Sequence, residues 1–447
     1  MDTHIWPITA AITGDGHLEI GGCDTVVLAA ERGTPLYLLD AATFRTNCRT
    51  YKHAFARHYP GDVSVHYASK ALLNTGIAQL LHAEDMALDV VSGGELWVAL
   101  RAGFPAARIH LHGNAKPRAE LEQALAAGIG NIVVDTLDEL VLLAILTSNQ
   151  AKPQSILLRI APGVAADTHA HIQTGQADSK FGLPLGQLDA AAAILQDAPG
   201  LRLRGLHCHL GSQLFDPAPY PRAIDVLLDA AVRLRDQHGI VCDEISPGGG
   251  LGVAYTVDQA APDIDLFAAT ICRAVVEGCE QRRFPLPTLV VEPGRSIVAR
   301  AGVALYSVLA RKLLAAETQP TTDNRPLTTT YLHIDGGMAD NIRPALYGAT
   351  YTALLANHAN AEADTRVHVS GRYCESGDVL LRDVLLPSAI PGDLLAVAVA
   401  GAYTLSMASN YNLVPRPALL LVEQGQTQIM QRRETYEDLV RRDSEIQ

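Results

Sequence analysis

Aromatic residues are scarce in this chain, 5% of 447 residues with only 2 Trp, yet 48% of it is hydrophobic and 19% charged. With 36 Gly and 24 Pro, these proportions are ordinary for a soluble globular protein and exclude disorder and a collagen-like repeat. Basic residues are outnumbered, 35 against 48 acidic, for a net charge of -13, and no Lys/Arg run of the kind that tracks phosphates is present. Nucleic acid is excluded as a partner on that ground. No apolar run approaches the ~18 residues a membrane helix needs. The opening MDTHIWPITA has neither the basic start nor the long apolar stretch of a secretion signal. A cytoplasmic protein with no membrane partner is expected. The seven cysteines are scattered, with no C-x-x-C pair for zinc or redox chemistry. They read as small core residues, Cys374 excepted.

The length predicts two or three domains. Between residues 63 and 294 a short run rich in Val, Ile and Leu recurs, with a polar residue or glycine at or beside its end and helical periodicity after it. The runs lie at 63–69, 87–92, 108–113, 131–135, 155–160, 201–209, 243–249 and 288–294. Near-continuous hydrophobic strands alternating with helices imply a parallel sheet buried on both faces, and eight of them imply a closed barrel. Ser92 with Glu95 and Thr136 with Glu139 fit capping boxes, while Pro117 and Gly128 bracket another helix. The fold class is thus α/β, a (β/α)8 TIM-type barrel over 41–298. Beyond residue 300, strand-like pieces at 328–337, 393–403 and 419–430, the last turning near Gly425, crowd together without long helices. Residues 1–40 look β-like and too short to fold alone. Segments 1–40 and 299–447 are therefore expected to build a second, mostly antiparallel β domain, with the polar stretch 315–330 as an exposed loop.

Chemistry in such a barrel gathers at the C-terminal strand ends. Here those ends carry Lys70, Asp89, His112, Asp135, Arg159, His209, Gly248, Gly249, Gly250 and Glu292. A lysine closing a buried strand suits Schiff-base chemistry, because an amine taken out of water is a better nucleophile. The glycines let backbone amides approach a phosphate, and Ser212 offers a hydroxyl. Glu292 can keep a pyridine nitrogen protonated, and His209 can lie flat against a ring. Singly, each of these features is commonplace. Together they describe a pyridoxal 5'-phosphate site. A rival metal reading rests on the pairs His169/His171 and His207/His209, which resemble the H-x-H ligands of barrel amidohydrolases. In those enzymes the pair follows the first strand and the lysine a middle one. Here Lys70 is on the first strand and His207/His209 on the sixth, so no metal is expected.

Ten motifs, in order, carry a resemblance: HYASKA (66–71), LDVVSGGEL (88–96), HGNAK (112–116), THAHIQTGQADSKFG (168–182), HCHLGSQ (207–213), PGGGLG (247–252), EPGR (292–295), DGGMADNIRPALYG (335–348), CESGD (374–378) and GAYTLSMASNYN (401–412). From about residue 35 onward the chain resembles the fold III, alanine racemase-type and ornithine decarboxylase-like pyridoxal phosphate-dependent decarboxylases, and among them the diaminopimelate decarboxylases. The resemblance implies that Lys70 carries the cofactor as a Schiff base and that His209 stacks on its ring. It implies that Ser212, Gly249, Gly250, Gly294 and Tyr403 bind the phosphate, that Glu292 binds the pyridine nitrogen, and that Asp89 and His112 line the pocket. The related racemases present an Arg where Glu292 stands, so a strong electron sink, and hence loss of CO2, is favoured here.

For substrate, Glu375 suits a distal amine. Arg295, which also borders the cofactor, suits a distal carboxylate together with Arg343 and Tyr347. Tyr403 borders both ligands. A substrate with both distal groups is meso-2,6-diaminopimelate, converted to L-lysine and CO2 in the last step of lysine biosynthesis. The alternative is a related decarboxylase of ornithine, lysine, arginine or carboxynorspermidine. The family further implies that Cys374 helps protonate the α-carbon, and that Cys374 and Glu375 enter the site from the neighbouring subunit of a homodimer. Departures from the family pattern are Leu72 where Asn is common, Gly377 where Ser is common, and GRY at 371–373, which sets Arg372 and Tyr373 beside Cys374.

Overall fold

In the computed structural model, which describes residues 2, 4–164, 180–315 and 328–444, the eight apolar runs become eight strands because their outward-facing residues are buried under helices. Val65, Tyr67, Leu88, Val90, Ile109 and Leu111 are examples. These strands are β1 (Val63–Ala68), β2 (Ala87–Val90), β3 (Ile109–Leu111), β4 (Asn131–Val134), β5 (Gln154–Ala161), β6 (Leu201–His207), β7 (Glu244–Ser246) and β8 (Thr288–Val291). Each pairs in parallel with the next, and Leu289 of β8 pairs with Val63 of β1. The ring is closed. Most strands stop short of their predicted C-terminal limits, since the chain turns where polar residues and glycines begin. β7 ends before Pro247 and the triple glycine.

The expected helix signals operate with one correction. The Ser92 and Thr136 hydroxyls accept from the amides of Glu95 and Glu139. The two carboxylates, however, reach back beyond the cap, to the amides of Val91 and Asp135, so only half of each capping box forms. Glu139 is also more than a cap: its carboxylate sits 2.8 Å from Lys116 Nζ, both groups buried. Burial opposes both charges, lowering the pKa of Lys116 and raising that of Glu139. Pro117 and Gly128 bracket the helix Arg118–Ala127 as predicted.

Two units are distinguishable. The barrel unit comprises Thr46–Val253 and Pro262–Ile297; the β unit comprises Met1–Arg45, Ala254–Ala261 and Val298–Gln447. Segment 254–261, placed within the barrel stretch on sequence grounds, belongs with the β unit, where the Tyr255 carbonyl accepts from both the amide and the hydroxyl of Thr352. In the β unit the long strand Gly302–Ala315 pairs antiparallel with Leu36–Asp40, Thr328–Ile334 and Leu394–Val397. The N-terminal strand Leu36–Asp40 is sandwiched between Gly302–Ala315 and Ala418–Glu423, so the two chain ends build one sheet. Ala418–Glu423 and Gln426–Gln431 form the hairpin expected near Gly425. Two pairings in this sheet are parallel and the rest antiparallel.

His169, His171 and most of the loop 315–330 lie outside the described residues. Six cysteines are buried and Cys374 is exposed, all as free thiols. Among the described residues no helix is long and apolar enough to cross a membrane.

Candidate active site

Strand closure brings the predicted residues of the barrel unit to one rim. Lys70 follows β1 in a single 3-10 turn, Ser69–Ala71, and is exposed rather than withdrawn from water as its place at the end of a buried strand implied. Neighbouring β8 is followed directly by Glu292, which is buried. Its Oε1 accepts from the Ser246 hydroxyl at 2.7 Å, and its Oε2 lies 3.0 Å from His207 Nε2. Burial raises the Glu292 pKa, and the charge of Asp89 adds to that rise. Burial works against the charge of Asp89 as well, but the flanking imidazoles of His112 and His66 override it and hold this carboxyl well below the usual range. His112 Nε2 stands between the two acids, 3.2 Å from Asp89 Oδ1 and 4.0 Å from Glu292 Oε1. The rim thus holds two carboxylates of divergent acidity bridged by an imidazole, a pattern typical of functional sites.

The glycine run after β7 packs as bare backbone. A Cβ on Gly249 would stand 2.0 Å from the Glu292 carbonyl oxygen, and one on Gly250 would stand 2.6 Å from the Gly211 carbonyl oxygen. No larger residue fits there. The Gly249 amide donates to His209 Nδ1 at 3.3 Å. Burial lowers the pKa of His209, followed by the charges of Lys70 and Arg159, so its ring stays neutral. Gly294 is less tightly packed: a Cβ there would stand 3.0 Å from the Ala68 Cβ and 3.2 Å from the Ala71 Cβ, on either side of Lys70. Arg295 is buried, and its Nε and Nη2 donate to the Ser212 hydroxyl at 3.3 and 3.0 Å. An exposed amine, a clamped buried acid on the adjacent strand, a neutral imidazole and a glycine cradle beside an arginine fit pyridoxal phosphate. His207 and His209 do not act as a pair: one holds Glu292 and the other meets Gly249.

Arg343, Tyr347, Cys374, Glu375 and Tyr403 belong to the β unit. Arg343 opens the helix Arg343–Tyr347; its Nη1 donates to the Tyr351 hydroxyl at 2.6 Å, and its guanidinium lies 4.6 Å from the Tyr255 ring centroid. Tyr347 closes the same helix, half-buried. Cys374 and Glu375 are exposed after the strand Thr365–Ser370. Their loop is fixed through its backbone: the Cys374 amide donates to Asn412 Oδ1 at 3.0 Å, and the Tyr373 amide donates to Asp378. Tyr373, one of the departures from the family pattern, is buried beneath this loop. Tyr403 has φ +58°, an uncommon backbone for a bulky residue.

Sequence reasoning missed the inward-facing polar residues deeper in the barrel, namely Ser64, His66, His110, Asn131 and Glu244. Alternation in VSVHYA and IHL, with polar residues at every second position, is the signal that could have found them.

A parallel barrel with this rim defines a pyridoxal phosphate-dependent decarboxylase of the barrel class. Agreeing with it, the family described as pyridoxal-dependent decarboxylase, pyridoxal binding domain, matches residues 41–299. Diaminopimelate decarboxylase of Bacillus subtilis (strain 168) is 44% identical over 430 residues, 96% of this chain and 95% of that protein. The Synechocystis sp. diaminopimelate decarboxylase is 41% identical over 448 residues, 98% and 93% of the two chains. Among solved structures, diaminopimelate decarboxylase of M. jannaschii in complex with L-lysine superposes with a TM-score of 0.88 at 34% identity, covering 98% of each chain. The chain belongs to the diaminopimelate decarboxylase family.

Proposed function

We propose that this protein decarboxylates meso-2,6-diaminopimelate to L-lysine and CO2, using pyridoxal phosphate at the barrel rim. The observation that carries this reading is Glu292, clamped by Ser246 and His207 at the end of β8, next to the strand that delivers Lys70. Lys70 would hold the cofactor covalently. Ser212, Gly249, Gly250, Gly294 and Arg295 would hold its phosphate, with Tyr403, and His209 would lie against its ring. When bound, this group supplies an electron sink for the carbanion left by CO2. Glu292 would keep the pyridine nitrogen protonated, so that the sink is strong. Decarboxylation consumes a proton at the α-carbon, and Cys374 would deliver it. Arg343, Tyr347 and Arg295 would bind the distal carboxylate and Glu375 the distal amine.

Residues 46–253 and 262–297 would form the cofactor domain. Exposure of Cys374 and Glu375 supports their delivery into the site of a second copy, in a homodimer. Free thiols throughout the described chain support a cytoplasmic location. The test is CO2 release from meso-diaminopimelate, ornithine and lysine by cofactor-loaded protein. Release from diaminopimelate alone is expected, and preference for ornithine or lysine would reverse the assignment. Mixing inactive Lys70→Ala and Cys374→Ala chains tests the shared site: re-paired dimers should recover roughly a quarter of wild-type activity.

A further inference from the structure

Barrels of this kind are ordinarily filled by layers of Val, Ile and Leu. Here the positions below the rim carry Ser64, His66, His110, Asn131 and Glu244, all within the barrel and touching one another. Asn131 Nδ2 donates across the barrel to Glu244 Oε2 at 3.3 Å and lies 2.8 Å from His110 Nε2. The His110 and His66 rings are 4.1 Å apart, and His66 Nε2 lies 3.0 Å from the Ser64 hydroxyl. His66 Nδ1 then stands 3.5 Å from Asp89 Oδ1, the oxygen that faces His112. Close contacts, two of them without a hydrogen bond, thus lead from Glu244 to the rim.

Packing does not account for this arrangement. His66 Nδ1, His110 Nδ1 and Asp89 Oδ1 are buried, and none has a hydrogen bond of good geometry. A ring nitrogen of each histidine and an oxygen of Asp89 all lie within 4.8 Å of one another. Burying such atoms unsatisfied is unfavourable, and three of them converge at one point below the rim. Burial lowers the pKa of His110, and the neighbouring His66 lowers it further. A neutral His110 that accepts from Asn131 at Nε2 carries its proton on Nδ1, the nitrogen left without a hydrogen bond.

We propose that His66 and His110 are positioning residues, which hold Asp89 turned toward His112 and thereby set how the Asp89 and Glu292 carboxyls share protons at the rim where the cofactor would sit. The other charged groups acting on this set come from neighbouring strands. Glu95 and Lys70 stand near Asp89 or its partners, Arg159 and Asp135 act on His207 beside Glu292, and Arg204 acts on His110 and Glu244. None of these bonds to Asp89 from below; His66 is the neighbour that approaches it from that side. The proposal rests on the pyridoxal phosphate reading and deepens it.

The experiment uses holoenzyme and reads the pH midpoint of the bound cofactor's absorbance without substrate, alongside kcat and KM. Cofactor uptake and CO2 release by the wild type are measured first. Failure of the functional reading then shows in the wild type, and failure of this proposal only in the variants. His66→Leu and His110→Val should keep the cofactor bound, shift the midpoint by about one pH unit or more, and lower kcat about tenfold with KM within about twofold. His110→Asn, which keeps a polar partner for Asn131, should fall between these and the wild type. Should His110→Val fail to fold, Asn131→Leu, which strips His110 of its Nε2 partner, must move the same midpoint. An unmoved midpoint in folded variants overturns the proposal. So does a metal ion bound stoichiometrically in the wild-type holoenzyme and lost in His110→Val.

Discussion

The barrel unit and the β unit hold their reactive side chains in opposite ways. In the barrel, Asp89, His112, Glu292 and Arg295 are buried, and each is kept in place by polar side chains that reach it from other strands or from the loops that follow them. In the β unit, Cys374 and Glu375 stand exposed on a loop fixed by its backbone. A buried ionisable group survives only where its neighbours complete it, so chemistry and stability are entangled there. An exposed pair on a fixed loop is free of that entanglement and accessible to another molecule. Substitutions in the two regions should therefore separate.

Lys70 is the exposed member of the barrel set and should give the largest effect. Lys70→Ala is expected to lower CO2 release by ~10³-fold or more and to abolish the lysine-bound chromophore, with melting unchanged. A chromophore that persists in the variant would place the cofactor on another lysine. Next comes a barrel substitution that should cost stability alone. Lys116→Met leaves the Glu139 carboxylate buried without its cation, and urea titration should show a loss of about 3–5 kcal/mol, with kcat preserved in the folded fraction. A loss below about 1 kcal/mol would break the contrast between the regions. In the β unit, Cys374→Ala should lower kcat ~10²-fold or more while shifting stability by less than about 0.5 kcal/mol. Equal loss of stability and activity would show that the loop is as entangled as the barrel.

The smallest effect concerns Glu434 in the β unit. Burial would raise its pKa, but hydrogen bonds from the Arg416 side chain and amide and from Asn410 bring it down to about 2. A depressed carboxylate stabilises fully above its unfolded value of about 4.3, and the contribution is lost as pH falls through about 2. Comparing wild type with Glu434→Gln should show a difference of about 1 kcal/mol at pH 7 that shrinks below pH 4. A difference independent of pH would mean that the ion pair is not its source.

All eight barrel strands were legible because the faces buried under helices leave Val, Ile and Leu dominating short runs, and the rim residues because they stand where those runs end. Lys70, Glu292 and the glycine cradle follow from position alone once the barrel is recognised. His207 was legible only as half of an H-x-H pair, because spacing records that two residues share a face and not which partner each one finds. The interior histidines were hidden for a related reason. Within VSVHYA and IHL a histidine is one polar residue in a hydrophobic stretch, and the connection from Glu244 to Asp89 passes between strands far apart in sequence. Segment 254–261 gave no signal, since its attachment depends on Thr352, about a hundred residues further on.

That segment has a consequence for how the chain can be divided. The polypeptide passes between the units at four places, after residues 45, 253, 261 and 297. A barrel fragment spanning 46–297 would carry 254–261 away from Thr352 and Arg343, and a β fragment beginning at 298 would lose both that segment and the strand Leu36–Asp40 from its sheet. Neither half is a transplantable module, so recombination between relatives should succeed only where all four junctions come from the same parent.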